Sequence, residues 1–193
     1  MRNQIASHGA PPVLEQLEPL LLRKASMRDI HGLLELINGY AADGVMLPRT
    51  EFEMSANIRD FTLAFSDGRL VGCGALHFYS PVAGEVRSLA VAKDAKNRGA
   101  GRALVDALEQ EAREFGLHSI FAFTYATGFF EKAGFKEVER GELPLKVWKD
   151  CLRCPKFQCC DEIAVVKHLV SERTYFRETA DPLVRLPIVK RPS

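Results

Sequence analysis

The chain predicts an α/β fold: a central mixed, mostly antiparallel sheet flanked by helices. Three observations carry this. Residues 84–91 run from β-compatible side chains into a polar loop, and beyond it Leu104, Ala107, Leu108, Ala112 and Phe115 share one face at helical spacing. Upstream, the apolar runs 62–65 and 70–79 are joined through 66–69, where Asp67-Gly68 is a strong hairpin signal. Downstream, strand-length and helix-length apolar segments alternate, the pattern of an α/β sheet.

In chain order, residues 1–17 are polar, contain Pro11-Pro12 and read as a flexible N-terminal arm. Residues 19–24 form a short strand. Ser26 or Asp29 caps a helix whose apolar face is Ile30, Leu33, Leu34 and Ile37. Residues 44–49 are a loop, after which Thr50 caps a short helix with Glu53 three residues on. The hairpin 62–79 follows, and 84–91 supplies its third strand. The amphipathic helix stops at Gly116. Residues 119–124 then read as a buried strand, 126–133 as a short helix and 134–139 as a strand. Pro144 suits the first turn of a helix reaching about residue 152. Residues 163–169 are the last strand, and the tail 171–193 shows no core face.

Composition narrows the class. With 193 residues, 47% hydrophobic and 26% charged, the chain is an ordinary globular domain. A net charge of +1 gives no case for nucleic acid or an anionic membrane. Its apolar stretches fall well short of the ~18 residues of a membrane span. No basic-then-apolar leader opens the chain. Five cysteines, an odd number with four crowded into 151–160, do not form a disulfide framework. The expected compartment is the cytoplasm.

The loop before the amphipathic helix reads Lys96-Asn97-Arg98-Gly99-Ala100-Gly101, followed by Arg102. Lys96, Arg98, Gly99 and Gly101 thus surround a helix N-terminus, where the first backbone N–H groups lack internal partners and the dipole favours an anion. Glycine removes the Cβ that would hold a phosphate off the backbone. These are the features of a pyrophosphate cradle, although a solvated turn capping a helix carries the same residues. It is not a P-loop, since no G-x-x-x-x-G-K-[ST] run exists. A dinucleotide fingerprint would need a third glycine where Leu104 stands.

The hexapeptide resembles [Q/R]-x-x-G-x-[G/A], by which GNAT-type N-acetyltransferases hold the pyrophosphate of acetyl-CoA, with Lys96 in place of the usual Arg or Gln. A second segment, 126–135 with Phe129, Phe130, Gly134 and Phe135, resembles that family's later signature, a helix running into a strand. The order of elements is similar too. Further segments, 46–49, 85–91, 142–154 and 160–162, resemble the short bacterial N-acetylglutamate synthases of arginine biosynthesis, and the resemblance spans about 19–169.

The resemblance implies a GNAT-like single domain over 18–170, acetyl-CoA as cosubstrate and the α-amine of L-glutamate as acceptor. It implies that the pantetheine arm pairs with the backbone at Leu89, Ala90 and Val91, and that Lys96 to Arg102 hold the pyrophosphate. Phe129 and Phe130 would pack against coenzyme and core. Acetyl transfer needs a neutral amine, a donor to the developing oxyanion and a proton for the thiolate. Glu85 is the candidate base, acting through a water; a strand-end glutamate facing solvent is the plain alternative. Arg87 lies one pleat along on the same face unless a bulge intervenes. Arg87, Arg49 and Lys146 are candidate carboxylate readers, since a guanidinium fork suits a carboxylate; ordinary surface charge explains them equally. Phe130 stands where many GNAT enzymes place an acid tyrosine, so Tyr125 is the substitute candidate.

Cys151, Cys154 and Cys160, with Cys159 between, include a C-x-x-C knuckle. A metal site, redox-sensitive thiols and buried structural thiols all remain open, but adjacent ligands within ten residues are unlike a structural zinc site. His77, His118 and His168 are taken as ordinary strand residues. A homodimer through exposed strand edges is an expectation of such a sheet. The rival functions are a GNAT enzyme for another small amine or a protein N-terminus, and a non-catalytic acyl-CoA or thiol sensor.

Overall fold

The computed structural model describes residues 20–139, 143 and 160–170. Seven strands form one sheet: β1 Leu21–Lys24, β2 Phe61–Ser66, β3 Arg69–Phe78, β4 Ala83–Val91, β5 Ser119–Thr124, β6 Lys136–Val138 and β7 Ile163–His168. Their spatial order is β1-β2-β3-β4-β5-β7-β6. Every neighbouring pair is antiparallel except β4 and β5. Among the described residues the α-helices are α1 Ile30–Ala42, α2 Glu51–Asn57, α3 Ala100–Glu114 and α4 Thr127–Lys132.

Local chemistry accounts for most boundaries. Asp67 and Gly68 both take positive φ (51° and 72°), the geometry of a type I′ turn between β2 and β3. Thr50 Oγ1 accepts from the Glu53 amide while Glu53 Oε2 accepts from the Thr50 amide, closing a capping box at α2. Helix α3 ends in a Schellman motif: Gly116 N donates to Arg113 O, Leu117 N donates to Ala112 O, and Gly116 has φ 73°. Helix α4 ends the same way, with Gly134 N to Glu131 O and Phe135 N to Phe130 O. Its hydrophobic contact is the edge-on pair Phe130–Phe135, 5.0 Å between centroids. The second sequence motif is therefore a helix stop with its apolar clasp. It also explains why the strand expected over 134–139 shrinks to Lys136–Val138: Gly134 and Phe135 are spent on ending the helix.

Two layers cover the sheet. Val105, Leu108 and Ala112 of α3, with Phe130 of α4, pack on Leu76, Val86, Ile120, Ala122 and Val165. On the other face, Ile30, Leu33 and Ile37 of α1 and Met54 of α2 pack on Leu63, Cys73, Ala75 and Ala90. Glycines bring α3 close to β3. A Cβ on Gly72 would stand 3.0 Å from Leu104 Cδ1, and one on Gly74 3.1 Å from Leu108 Cδ1.

Several expectations shift. Short 3-10 turns at Met27–Asp29, Ile58–Asp60 and Lys93–Ala95 escaped the sequence reading. His118 sits on the bend before β5 rather than in a strand. The arm over 1–17, the helix from Pro144 and the tail 171–193 lie outside the described residues.

Candidate active site

The site is a fork between the two parallel strands. β4 and β5 pair only at Ala83–Ser119, Gly84–Ile120 and Glu85–Phe121, after which β4 runs on to Val91 and β5 to Thr124. From Arg87 to Val91 the β5-facing edge of β4 has no strand partner among the described residues. A bulge reinforces the divergence. The β3–β4 register slips between Cys73 and Ala75, and Ser88 adopts φ 52°. The extra residue turns Leu89 to the α3 side, where it packs with Val86's cluster, and returns Ala90 to the α1 side. Arg87 precedes the bulge, so Glu85 and Arg87 do share a face.

Below the fork lies the glycine loop. Asn97 and Gly99 both have positive φ (63° and 87°), and Gly99 is the N-cap of α3. A Cβ at Gly99 would meet nothing within 4 Å, so its outer side is open. The amides of Ala100, Gly101 and Arg102 open the helix, where none has an intrahelical acceptor. Lys96, Asn97 and Arg98 are exposed around them. This donor set fits an anionic diphosphate. Lys96 Nζ stands over the Tyr40 ring, 5.1 Å from its centroid, and Tyr40 Oη donates to Val91 O at 2.6 Å. Tyr40 therefore ties α1 to both the loop and the end of β4. The Arg102 side chain turns elsewhere, to Asp106 at 2.8 Å and to Lys132 O at 2.8 Å. Phe129 packs on the first turn of α3, its ring 3.4 Å from where a Gly101 Cβ would stand, whereas Phe130 is buried in the core.

The α1–α2 side of the fork carries the charged groups. Arg87, with a side chain only 12% exposed, has Nη2 3.4 Å from Asn57 Oδ1 and 3.6 Å from Asp60 Oδ2. Asp60 Oδ2 also lies 2.7 Å from His77 Nδ1. His77 is the register partner of Glu85 across β3 and β4. Arg49 is half-buried in the α1–α2 loop, where the Asn38 amide clamps its backbone: Arg49 N donates to Asn38 Oδ1 at 2.8 Å and Asn38 Nδ2 donates to Arg49 O at 3.0 Å. Tyr125 follows β5, and its hydroxyl donates to Asp161 at 2.7 Å. Asn38, Asn57, Asp60 and Tyr40 were not singled out from sequence, and His77 was passed over as ordinary. Their pairings join segments distant in the chain, so no local signal marks them.

Among thiols, Cys73 lies under the bulge and is fully buried; burial pushes it up to about 12 against the pull of the Ala90 amide. It is an inert core side chain, not a nucleophile. Cys160 is half-buried with Sγ 3.9 Å from Glu162 Oε2, and no metal-binding group of three exists among the described residues. Lys146, Cys151 and Cys154 lie outside those residues. No helix among the described residues is long and apolar enough to cross a membrane.

A model of the acetyltransferase (GNAT) family matches residues 31–135. An uncharacterized N-acetyltransferase of Chlorobaculum tepidum is 41% identical over 148 residues, covering 77% of this chain and 96% of that one. An amino-acid acetyltransferase of Mycobacterium tuberculosis is 32% identical over 136 residues, covering 69% of this chain and 78% of its own length. In three dimensions, the N-acetylglutamate synthase of Neisseria gonorrhoeae, complexed with coenzyme A and N-acetyl-glutamate, superposes with a TM-score of 0.71 at 29% identity. That match covers 79% of this chain and 35% of the synthase.

Proposed function

This chain belongs to the acetyltransferase (GNAT) family and is an acetyl-CoA-dependent N-acetyltransferase, and from that premise we propose that its acceptor is the α-amine of L-glutamate. The product would be N-acetylglutamate, formed by direct transfer within a ternary complex. The observation that carries the reading is the placement of Glu85 and Arg87 side by side on β4 at the mouth of the fork. One offers a carboxylate to an amine, the other a guanidinium to a carboxylate. Arg49, held by Asn38 at the α1–α2 loop, supplies a second reader for the second carboxylate of glutamate. Lys146 is a third candidate. The amino-acid acetyltransferase and the synthase bound to N-acetyl-glutamate support the same acceptor class.

In this reading the amides at the start of α3, with Lys96 and Arg98, hold the diphosphate. The open edge of β4 then receives the pantetheine arm as an added strand, and a backbone N–H at Leu89 to Val91 polarises the thioester carbonyl. Glu85 takes the amine's proton through a water. Phe130 has no proton to give, so Tyr125 or water protonates the thiolate, whose low basicity makes a dedicated acid less necessary. A thiol-release assay across amino acids, polyamines and peptide N-termini tests the assignment. Glutamate should give the highest kcat/KM; release no faster than background with glutamate would remove it, and turnover of a polyamine or a peptide instead would name a different acceptor.

A further inference from the structure

We propose that His77, oriented by Asp60, relays the acceptor's proton from Glu85 to solvent. The inference rests on the reading of Glu85 as the base. An α-ammonium becoming an amide loses two hydrogens: one ends on the coenzyme thiol and the other must leave the site in every turnover. Glu85 sits on a strand interior, half-buried, so that proton needs a path out.

The geometry provides one. His77 and Glu85 are directly opposed on β3 and β4, so their side chains rise from one face with Cβ atoms roughly 4.5–5.5 Å apart. A carboxylate only accepts, so the 2.7 Å contact to Asp60 places a hydrogen on His77 Nδ1 and leaves the Nε2 lone pair to take another. The ring is held on a second side by Tyr79, edge-on with centroids 5.0 Å apart. Asp60 is itself fixed by the 3-10 turn Ile58–Asp60, closed by Phe61 N to Ile58 O. Arg87 completes the charged surroundings of the imidazole, 3.6 Å from the same Asp60 oxygen. With its side chain 33% exposed, His77 reaches both the face shared with Glu85 and bulk water. The step balances: Nε2 accepts the proton, Nδ1–H stays on Asp60, and the imidazolium releases its Nε2 proton to buffer.

The test is steady-state kinetics at low buffer concentration with acetyl-CoA and L-glutamate, or the best amine of the panel. The variants are Glu85→Gln, His77→Gln, His77→Ala and Asp60→Asn, each checked for folding by circular dichroism. Gln at position 77 can still donate to Asp60 but cannot carry a proton. His77→Gln should lower kcat about tenfold or more with the KM for acetyl-CoA unchanged. Added imidazole should restore part of the rate of His77→Ala, and Asp60→Asn should add no loss to His77→Gln. A wild-type kcat in His77→Gln, or a slow His77→Ala that imidazole leaves slow, overturns the relay while a slow Glu85→Gln keeps the base. A wild-type rate in Glu85→Gln overturns the base assignment and the relay with it.

Discussion

Replacing Gly99 and Gly101 separately by alanine should shift stability in opposite directions. Gly99 holds φ 87°, ψ −9°, a left-handed conformation in which an L side chain costs roughly 1–2 kcal/mol. Nothing lies within 4 Å of the added methyl, so backbone strain is the whole effect. Gly101 is already helical, and its Cβ would meet Phe129 at 3.4 Å and Val91 at 3.5 Å, ordinary contact distances. Removing a glycine from a helical turn then gains about 0.5–1 kcal/mol. For a chain of this size, 1 kcal/mol moves Tm by about 2–4 °C. Scanning calorimetry should therefore place Gly99→Ala about 2–8 °C below wild type and Gly101→Ala about 1–4 °C above it. In titrations with coenzyme A, Gly99→Ala should bind more weakly, because under the proposed reading a loop that relieves this strain turns its amides away from the diphosphate. A Gly99→Ala protein that melts like wild type and binds coenzyme A unchanged would refute the reasoning.

Three further outcomes follow from particular contacts. Tyr40→Phe deletes the donor to Val91 O yet keeps the ring beneath Lys96, and should cost about 1 kcal/mol of coenzyme A affinity by calorimetry. Tyr40→Leu should lose a further ~0.5–1 kcal/mol as the cation–π contact goes. Leu108→Ala removes a fully buried side chain from between α3 and β3, and should destabilise by about 2–5 kcal/mol in urea titrations. Hydrogen bonds from Arg23 at 2.7 and 2.9 Å hold the Asp29 carboxyl below the usual carboxylate range, with Ser26 adding to the effect and partial burial opposing it. A folded-state pKa below the unfolded one gives stability that is present above about pH 4 and is lost as pH falls further. Arg23→Gln should accordingly reduce stability at neutral pH and flatten its fall below about pH 4, by a small amount because Arg23 is largely exposed.

What could be read from the chain was whatever local chemistry decides. Asp67-Gly68, the Thr50–Glu53 box, the apolar stripe of α3 and the glycines at 99 and 116 each impose a conformation on their immediate neighbours, and each was legible; Gly134 reads as the start of a strand and instead ends α4. The fork was not, because its cause lies across strands. Ser88 has no intrinsic call for positive φ, and the bulge exists only because β3 and β4 are held in register on either side of Gly74. Asp60 and His77 are likewise invisible as a pair. They meet only once the β2–β3 hairpin sets Phe61 against Ala75 and brings the turn before β2 beside the far end of β3. Asn38 gave no sign either, because its amide earns its role by clamping Arg49 backbone that arrives from a loop.

The supernumerary residue at 88 also cuts β4 into two stretches of opposite phase. Before it, Glu85 and Arg87 project toward the helical pair α1–α2; after it, Leu89 reaches into the layer beneath α3 while Ala90 looks back. Changes at 57, 60, 85 and 87 can therefore remodel one face without disturbing the Leu89 contacts or the amides that begin α3. Under the proposed reading, a library confined to 57 and 87 would vary the choice of acceptor while keeping the base at 85, its neighbour at 60 and the thioester end intact. Deleting Ser88 would remove the kink yet keep Leu89 beneath α3 and Ala90 facing α1, because alternation from Arg87 then delivers the same sides; flattening the strand with Ser88 retained would instead exchange them, fusing two compartments that the fold keeps separate.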